Sequence, residues 1–91
     1  MAVLVDDPMW PAHGRLWAHL VSDESLDELH AFAAAQGIPQ RAFDRDHYDV
    51  PADAVPRLRE AGAQHVSGKE LTRRLIRSGL RVRARDRRRL L

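Results

Sequence analysis

LWAHLVSDESLDELHAFAAAQG, residues 16–37, changes its period halfway through. Leu16 to Val21 is a short apolar run that reads as a strand, and Ser22 and Asp23 end it. Ser25 and Glu28 then form an S-x-x-E capping box, so a helix starts near Ser25. Leu26, Leu29, Phe32 and Ala33 recur at three- and four-residue spacing and give that helix one apolar face. Gly37, followed by Ile38 and Pro39, sits where a left-handed cap belongs. His30 falls off the centre of the stripe and is expected on the surface. A strand feeding directly into a helix sets the class as α/β.

The flanking segments extend the pattern. Ala2 to Val5 reads as a first strand buried on both faces, stopped by Asp6, Asp7 and Pro8. Its C-terminal end is where open α/β sheets place ligands. PMWPAHG, residues 8–14, is expected to be a loop because of its prolines and glycine. Trp10 and Trp17 flank it and are read as core or lid residues rather than a nucleobase platform, since so small a domain needs their buried area.

Residues 42–50, AFDRDHYDV, hold the next strand, in which Tyr48 and Val50 alternate with His47 and Asp49. A second helix is expected over 53–61, with Pro56 in its first turn and Gly62 ending it. Gln64 to Val66 reads as a last strand. Ser67 with Glu70 is a second capping box and opens a third helix, with Leu71, Leu75 and Ile76 facing inward and Gly79 as cap. The order β-β-α-β-α-β-α predicts a small α/β sandwich with three helices and a mostly parallel sheet of three to four strands. The expected domain is 1–79, followed by an Arg-rich tail, 80–91. The alternation from Leu80 to Arg85 can form an edge strand, but a flexible arm is the preferred reading.

Ninety-one residues make one domain with one small core. No apolar run approaches the ~18 residues of a membrane span. No basic n-region precedes an apolar stretch, and a cytoplasmic location is expected. The absence of cysteine excludes disulfides and thiolate metal sites. The net charge of +2 conceals a division. Residues 1–72 carry six Lys/Arg against twelve Asp/Glu, whereas residues 73–91 carry nine Arg against Asp86 alone. Such asymmetry points to a polyanion partner or to self-association as a homodimer, and equally to a solvated terminus.

The chemistry-bearing residues gather near strand ends. Period two puts His47 and Asp49 on one strand face, while Asp44 and Asp46 are assigned to a solvated turn. One reading takes Asp6, Asp7, His19, His47 and Asp49 as ligands of a divalent metal ion, since imidazoles with carboxylates suit Zn, Mn, Fe or Mg. A metal-free reading makes His47 or His19 a general base oriented by Asp49 or Asp23. Arg15 would then hold an anionic substrate, with Tyr48, Arg73 and Arg77 as further contacts. The bland reading makes the histidines hydrogen-bonded structural residues and Asp23 a helix cap. His13 either joins the site or marks a turn, and His65 has no obvious partner. There is no Cys nucleophile, G-x-S-x-G elbow, P-loop or G-x-G-x-x-G. Arg73, Arg74 and Arg77, with the six arginines from Arg81 onward, form a basic stripe of the kind that tracks a phosphate backbone.

The succession VDDP, WPAHGRLWAHLVSD, SLDELHAFA, RAFDRDHYDVP and AGA resembles the DUF4031 family over about residues 3–78. The family pattern centres on an Asp pair, a G-R pair, an H-x-x-x-D unit and an H-[YF]-D unit. Here these fall on Asp6 and Asp7, Gly14 and Arg15, His19 and Asp23, and His47 to Asp49. The resemblance marks residues and brings no activity with it. The expectation is a His/Asp pocket that binds or hydrolyses a phosphate-containing ligand, a nucleotide or nucleic acid, with or without a metal. The alternative is a non-catalytic nucleic-acid-binding or assembly module in which the cluster is structural.

Overall fold

The computed structural model describes residues 2–82. Nine regular elements follow one another: β1 (Val3–Val5), β2 (Trp10–Ala12), β3 (Arg15–Ser22), α1 (Leu26–Ala35), β4 (Phe43–Asp44), β5 (His47–Pro51), α2 (Val55–Glu60), β6 (Gln64–His65) and α3 (Gly68–Ser78). Short 3-10 turns at Gln40–Ala42 and Ala52–Ala54 precede β4 and α2. The α/β class and the three helices are as the pattern predicts.

The sheet is not. It has six strands in the order β4-β5-β3-β1-β6, with β2 also paired to β3. Only β1 and β6 run parallel. The expectation of a mostly parallel sheet fails at PMWPAHG, which is not a loop. Trp10 to Ala12 pair antiparallel with Arg15 to Trp17. The two residues between them, His13 (φ 51) and Gly14 (φ 77), both take left-handed dihedrals, as in the type I′ turns that close tight hairpins. Pro11 is tolerated because β2 lies on an edge, where no ladder N–H is required of it.

β1 and β2 lie along the same side of β3, which makes the break between them informative. Val5 faces Leu20 and Trp10 faces Trp17, so residues 6–9 stand opposite residues 18–19. The surplus of two residues bulges out at Asp6 to Met9. The Asp6 amide still donates to the His19 carbonyl, and the Met9 amide to that of Trp17.

Alternation along β3 and β5 sorts the core into two layers. Ala18, Leu20, Tyr48 and Val50 point to one face, where Leu29 and Ala33 of α1 and Val55 and Leu58 of α2 cover them. Leu4 and Val21 point to the other, under Leu71 and Leu75 of α3. Ile76, expected inward, is 46% exposed, since the inward stripe of α3 runs through Leu71 and Leu75. Leu4, Val5, Leu20, Val21, Leu29, Val50 and Leu58 are fully buried; burying each such side chain stabilises by about 1.5–3 kcal/mol before entropy is charged.

Both capping boxes supply their caps: the Ser25 and Ser67 hydroxyls accept from the Glu28 and Glu70 amides. α1 ends in a Schellman motif, with Gly37 (φ 73) donating to Ala34 O and Ile38 to Ala33 O. After Gly79, Leu80 packs beside the α3 core. Leu80 to Val82, the described part of the edge-strand option over 80–85, take no strand. The arginines from Arg83 onward, and the flexible-arm reading placed on them, lie outside the described residues.

Candidate functional site

β3 and β5 are neighbours, and their register puts His19 directly opposite Asp49. His47 precedes Asp49 by two residues and so shares its face. All three point to the α3 side of the sheet. α3 covers the Val21 end of that face and leaves the rest as a cleft of about 420 Å³, walled by Trp10, Thr72 and Arg81. One ligand-capable atom from each of His19, His47 and Asp49 lies within 4.8 Å of the other two.

Each histidine is held from behind by a carboxylate. Asp6, 5% exposed, accepts from the His19 amide at 2.7 Å through Oδ1 and meets His19 Nδ1 at 2.9 Å through Oδ2. The bulge makes this possible, because it turns the Asp6 side chain along β3. Asp46 Oδ1 meets His47 Nδ1 at 2.7 Å. An ionised carboxylate only accepts, so Nδ1 of each ring carries the hydrogen and Nε2 of the neutral ring is left as a lone pair. His47 Nε2 is 3.1 Å from Asp49 Oδ1, yet that buried oxygen makes no hydrogen bond among the described residues. The two atoms thus face each other without a hydrogen bond between them.

Asp46 is the unexpected member. The sequence places it in a solvated turn with Asp44; Asp44 is exposed, but Asp46 is fully buried. A γ-turn centred on Arg45 (φ 63), with Asp46 N–H donating to Asp44 O at 2.7 Å, directs it inward. Its second oxygen accepts from the Val82 amide at 2.8 Å and from Arg81 Nη1 at 3.2 Å. Burial, the largest single influence, pushes the Asp46 carboxyl up. The His47 ring, the Val82 amide and Arg81 together outweigh it and hold the group below the usual carboxylate range. Hydrogen bonding to Asp6 raises His19 above 6.5; burial and Arg81 oppose this, and the Asp6 and Asp49 charges reinforce it.

Other expected site residues lie elsewhere. Asp7 points away to His65, at 2.7 Å, because the bulge sends adjacent side chains in different directions. Tyr48 alternates with His47 and therefore enters the opposite core, where its hydroxyl meets His30 Nδ1 at 2.7 Å. Burial raises the Tyr48 pKa. His30 is consequently a half-buried partner, not a surface residue. Asp23 neither caps α1 nor orients His19. It accepts from the Ala2 amide and from Arg74, and although burial pushes its carboxyl up, these partners bring it below the usual range. Arg15 stacks over Trp17 at 5.9 Å. Arg73 pairs with Glu70, and Arg77 lines a shallow depression with Asp23 and Ser78. None of these three arginines lines the His19 cleft.

Reading residues in sequence misses Asp46, Trp10 and Arg81 as parts of the site. Asp46 alone carried a local signal, its position just before His47. Among the described residues no helix is long and apolar enough to cross a membrane. No curated protein and no solved structure matches the chain. The family described as "Protein of unknown function (DUF4031)" matches residues 3–78, a span that holds His19, His47, Asp49 and the two carboxylates behind the histidines but ends before Arg81, and the chain belongs to that family.

Proposed function

We propose that the protein binds a divalent metal ion through His19 Nε2, His47 Nε2 and Asp49 Oδ1, and that it hydrolyses a phosphate ester of a nucleotide or nucleic acid. The observation that carries this reading is the convergence of three donor atoms within 4.8 Å, two of them on rings whose Nδ1 atoms face Asp6 and Asp46. Carboxylate-anchored histidines are the usual outer shell of a metal site, because the carboxylate fixes the tautomer and the ring angle. A cation between His47 Nε2 and Asp49 Oδ1, an oxygen that makes no hydrogen bond among the described residues, would also satisfy both atoms.

Two imidazoles and one carboxylate leave coordination positions open, as hydrolytic zinc sites and some iron sites do. The ion's chemistry would be to lower the pKa of bound water and polarise a phosphoryl oxygen. Asp6 and Asp46 keep the rings in the binding tautomer. Arg81 lines the cleft, where its guanidinium meets a non-bridging phosphate oxygen. The water oxygen bonds to phosphorus, the P–O ester bond breaks, and the alcohol leaves with a proton.

Elemental analysis of purified protein, beside the His47→Ala and Asp49→Ala variants, tests the binding step. About one Zn, Mn or Fe per chain is expected in the parent and little in either variant. Hydrolysis of bis(p-nitrophenyl) phosphate with each metal restored tests the reaction. A metal-free parent that takes up none of these ions on titration would refute the proposal.

A further inference from the structure

A second groove adjoins the cleft and shares Asp49 with it. It measures about 570 Å³, within the range of small-molecule sites. Its walls are mostly apolar. β3 and β5 contribute Trp17 and Pro51, the turn before β4 contributes Ala42, and the turn before α2 contributes Ala54. Ile38, which closes the Schellman motif of α1, completes them. Such walls favour a ligand with an apolar body, because the groove takes that body out of water.

Two cations interrupt the apolar lining. Arg41 stands on the turn Gln40–Ala42 and Arg57 on α2, so two separate elements deliver them to one groove. Neither makes an ion pair or a side-chain hydrogen bond among the described residues. Arg45, Arg73, Arg74 and Arg81, by contrast, each meet a carboxylate. Asp49 is the one acid lining the groove among the described residues, and in the metal reading its charge faces the ion. The groove therefore offers two guanidinium groups to an anion, and guanidinium bonds carboxylate and phosphate oxygens strongly. Asp49 also fixes where this anion sits in a larger ligand. It stands at the boundary between groove and cleft, so an ester held at the ion reaches the groove with its alcohol part.

We infer that the groove is the subsite for the alcohol part of the phosphate ester, and that this alcohol has an apolar body bearing a second anionic group. Arg41 and Arg57 hold the second anion. The inference rests on the metal reading for the position of the scissile phosphate, but not for the affinity of the groove for an apolar anion. Hydrolysis of such a monoester consumes one water and yields inorganic phosphate and the anionic alcohol. Among nucleotides, the rule selects those with a further phosphate on the nucleoside.

The test assays full-length protein with Mn²⁺ for phosphate release from hexyl phosphate and from its counterpart with a terminal carboxylate. The carboxylated ester should show a KM about tenfold lower. Arg41→Ala with Arg57→Ala should erase the difference, and Arg41→Lys with Arg57→Lys should restore part of it. Both side chains are exposed, so the substitutions spare the core. Octanoate, an apolar anion without phosphate, tests the groove in EDTA, apart from the ion. Trp10 and Trp17 are the only tryptophans in the chain and both line the groove. Their emission should shift as octanoate binds, and the alanine double variant should need about tenfold more of it. Equal KM for the two esters in the parent, or a preference that survives both alanine substitutions, would overturn the subsite. An octanoate response that is lost in the double variant, in a protein that takes up no metal and releases no phosphate, would support the groove and defeat the metal reading. Metal uptake and phosphate release without any octanoate response would defeat the groove alone.

Discussion

His47 Nδ1 stands 2.7 Å from Oδ1 of Asp46, its neighbour in the chain, and Asp46 is completely enclosed. A buried carboxylate survives only when its partners satisfy it. Here the partners are His47, the Val82 amide and Arg81. Asp46→Ala leaves the half-buried Val82 amide and the His47 imidazole unpaired and should cost about 3 kcal/mol. Asp44→Ala, two residues away on the exposed side of the same turn, should change stability by less than about 0.5 kcal/mol. Urea unfolding of the two variants checks the contrast; similar losses would return Asp46 to an ordinary turn role.

Asp6→Asn keeps the shape of the side chain but removes the charge behind His19. The His19 ring loses its fixed tautomer, and metal affinity should fall about 10–100-fold. Calorimetric titration with Zn²⁺ measures this. An unchanged affinity would remove His19 from the ligand set.

Stability should peak in mid-range pH, and the signs follow from the shifts. The folded pKa of His19 is raised above 6.5, so its contribution is complete below 6.5 and is lost as pH rises through the folded value. The folded pKa values of Asp46 and Asp23 lie below 3.8, so theirs is complete above 3.8 and is lost as pH falls through the folded values. Denaturant midpoints between pH 2 and pH 9 should therefore decline on both flanks. In Asp6→Asn the alkaline decline should shrink. Metal uptake runs opposite to the His19 term, rising as that ring loses its extra proton.

Tyr48→Phe tests which face the hydroxyl serves. Its partner is His30, in the core beneath α1. The variant should lose about 1 kcal/mol of stability and bind metal as the parent does. A large loss of metal or of phosphodiesterase activity would contradict the placement.

The parts legible in sequence are those whose causes are local. Ser25 with Glu28 and Ser67 with Glu70 announce helix starts because a cap acts within one turn. His47 and Asp49 share a face because strand alternation is a property of adjacent residues. The hairpin at His13 and Gly14 was hidden by Pro8 and Pro11, which argue for a loop when the edge position of β2 is unknown. The carboxylates behind the histidines were harder still. Asp6 reaches His19 because residues 6–9 bulge against residues 18–19, and a surplus of residues in one strand appears only when its partner is known. Asp46 meets Val82 across 36 positions, a separation that no window or motif spans. The same distance explains why the arginines of α3 looked available: Arg74 is tied to Asp23 across 51 positions.

The attachment of Val82 to Asp46 has a consequence for the order of assembly. His19 and Asp6 are separated by 13 positions and meet once β1 and β3 pair. Asp46, the carboxylate behind His47, acquires its remaining partners only after α3 has docked and the chain has crossed back over the sheet. A chain cut before Arg81 would keep all six strands but leave Asp46 with His47 as its one side-chain partner among the described residues.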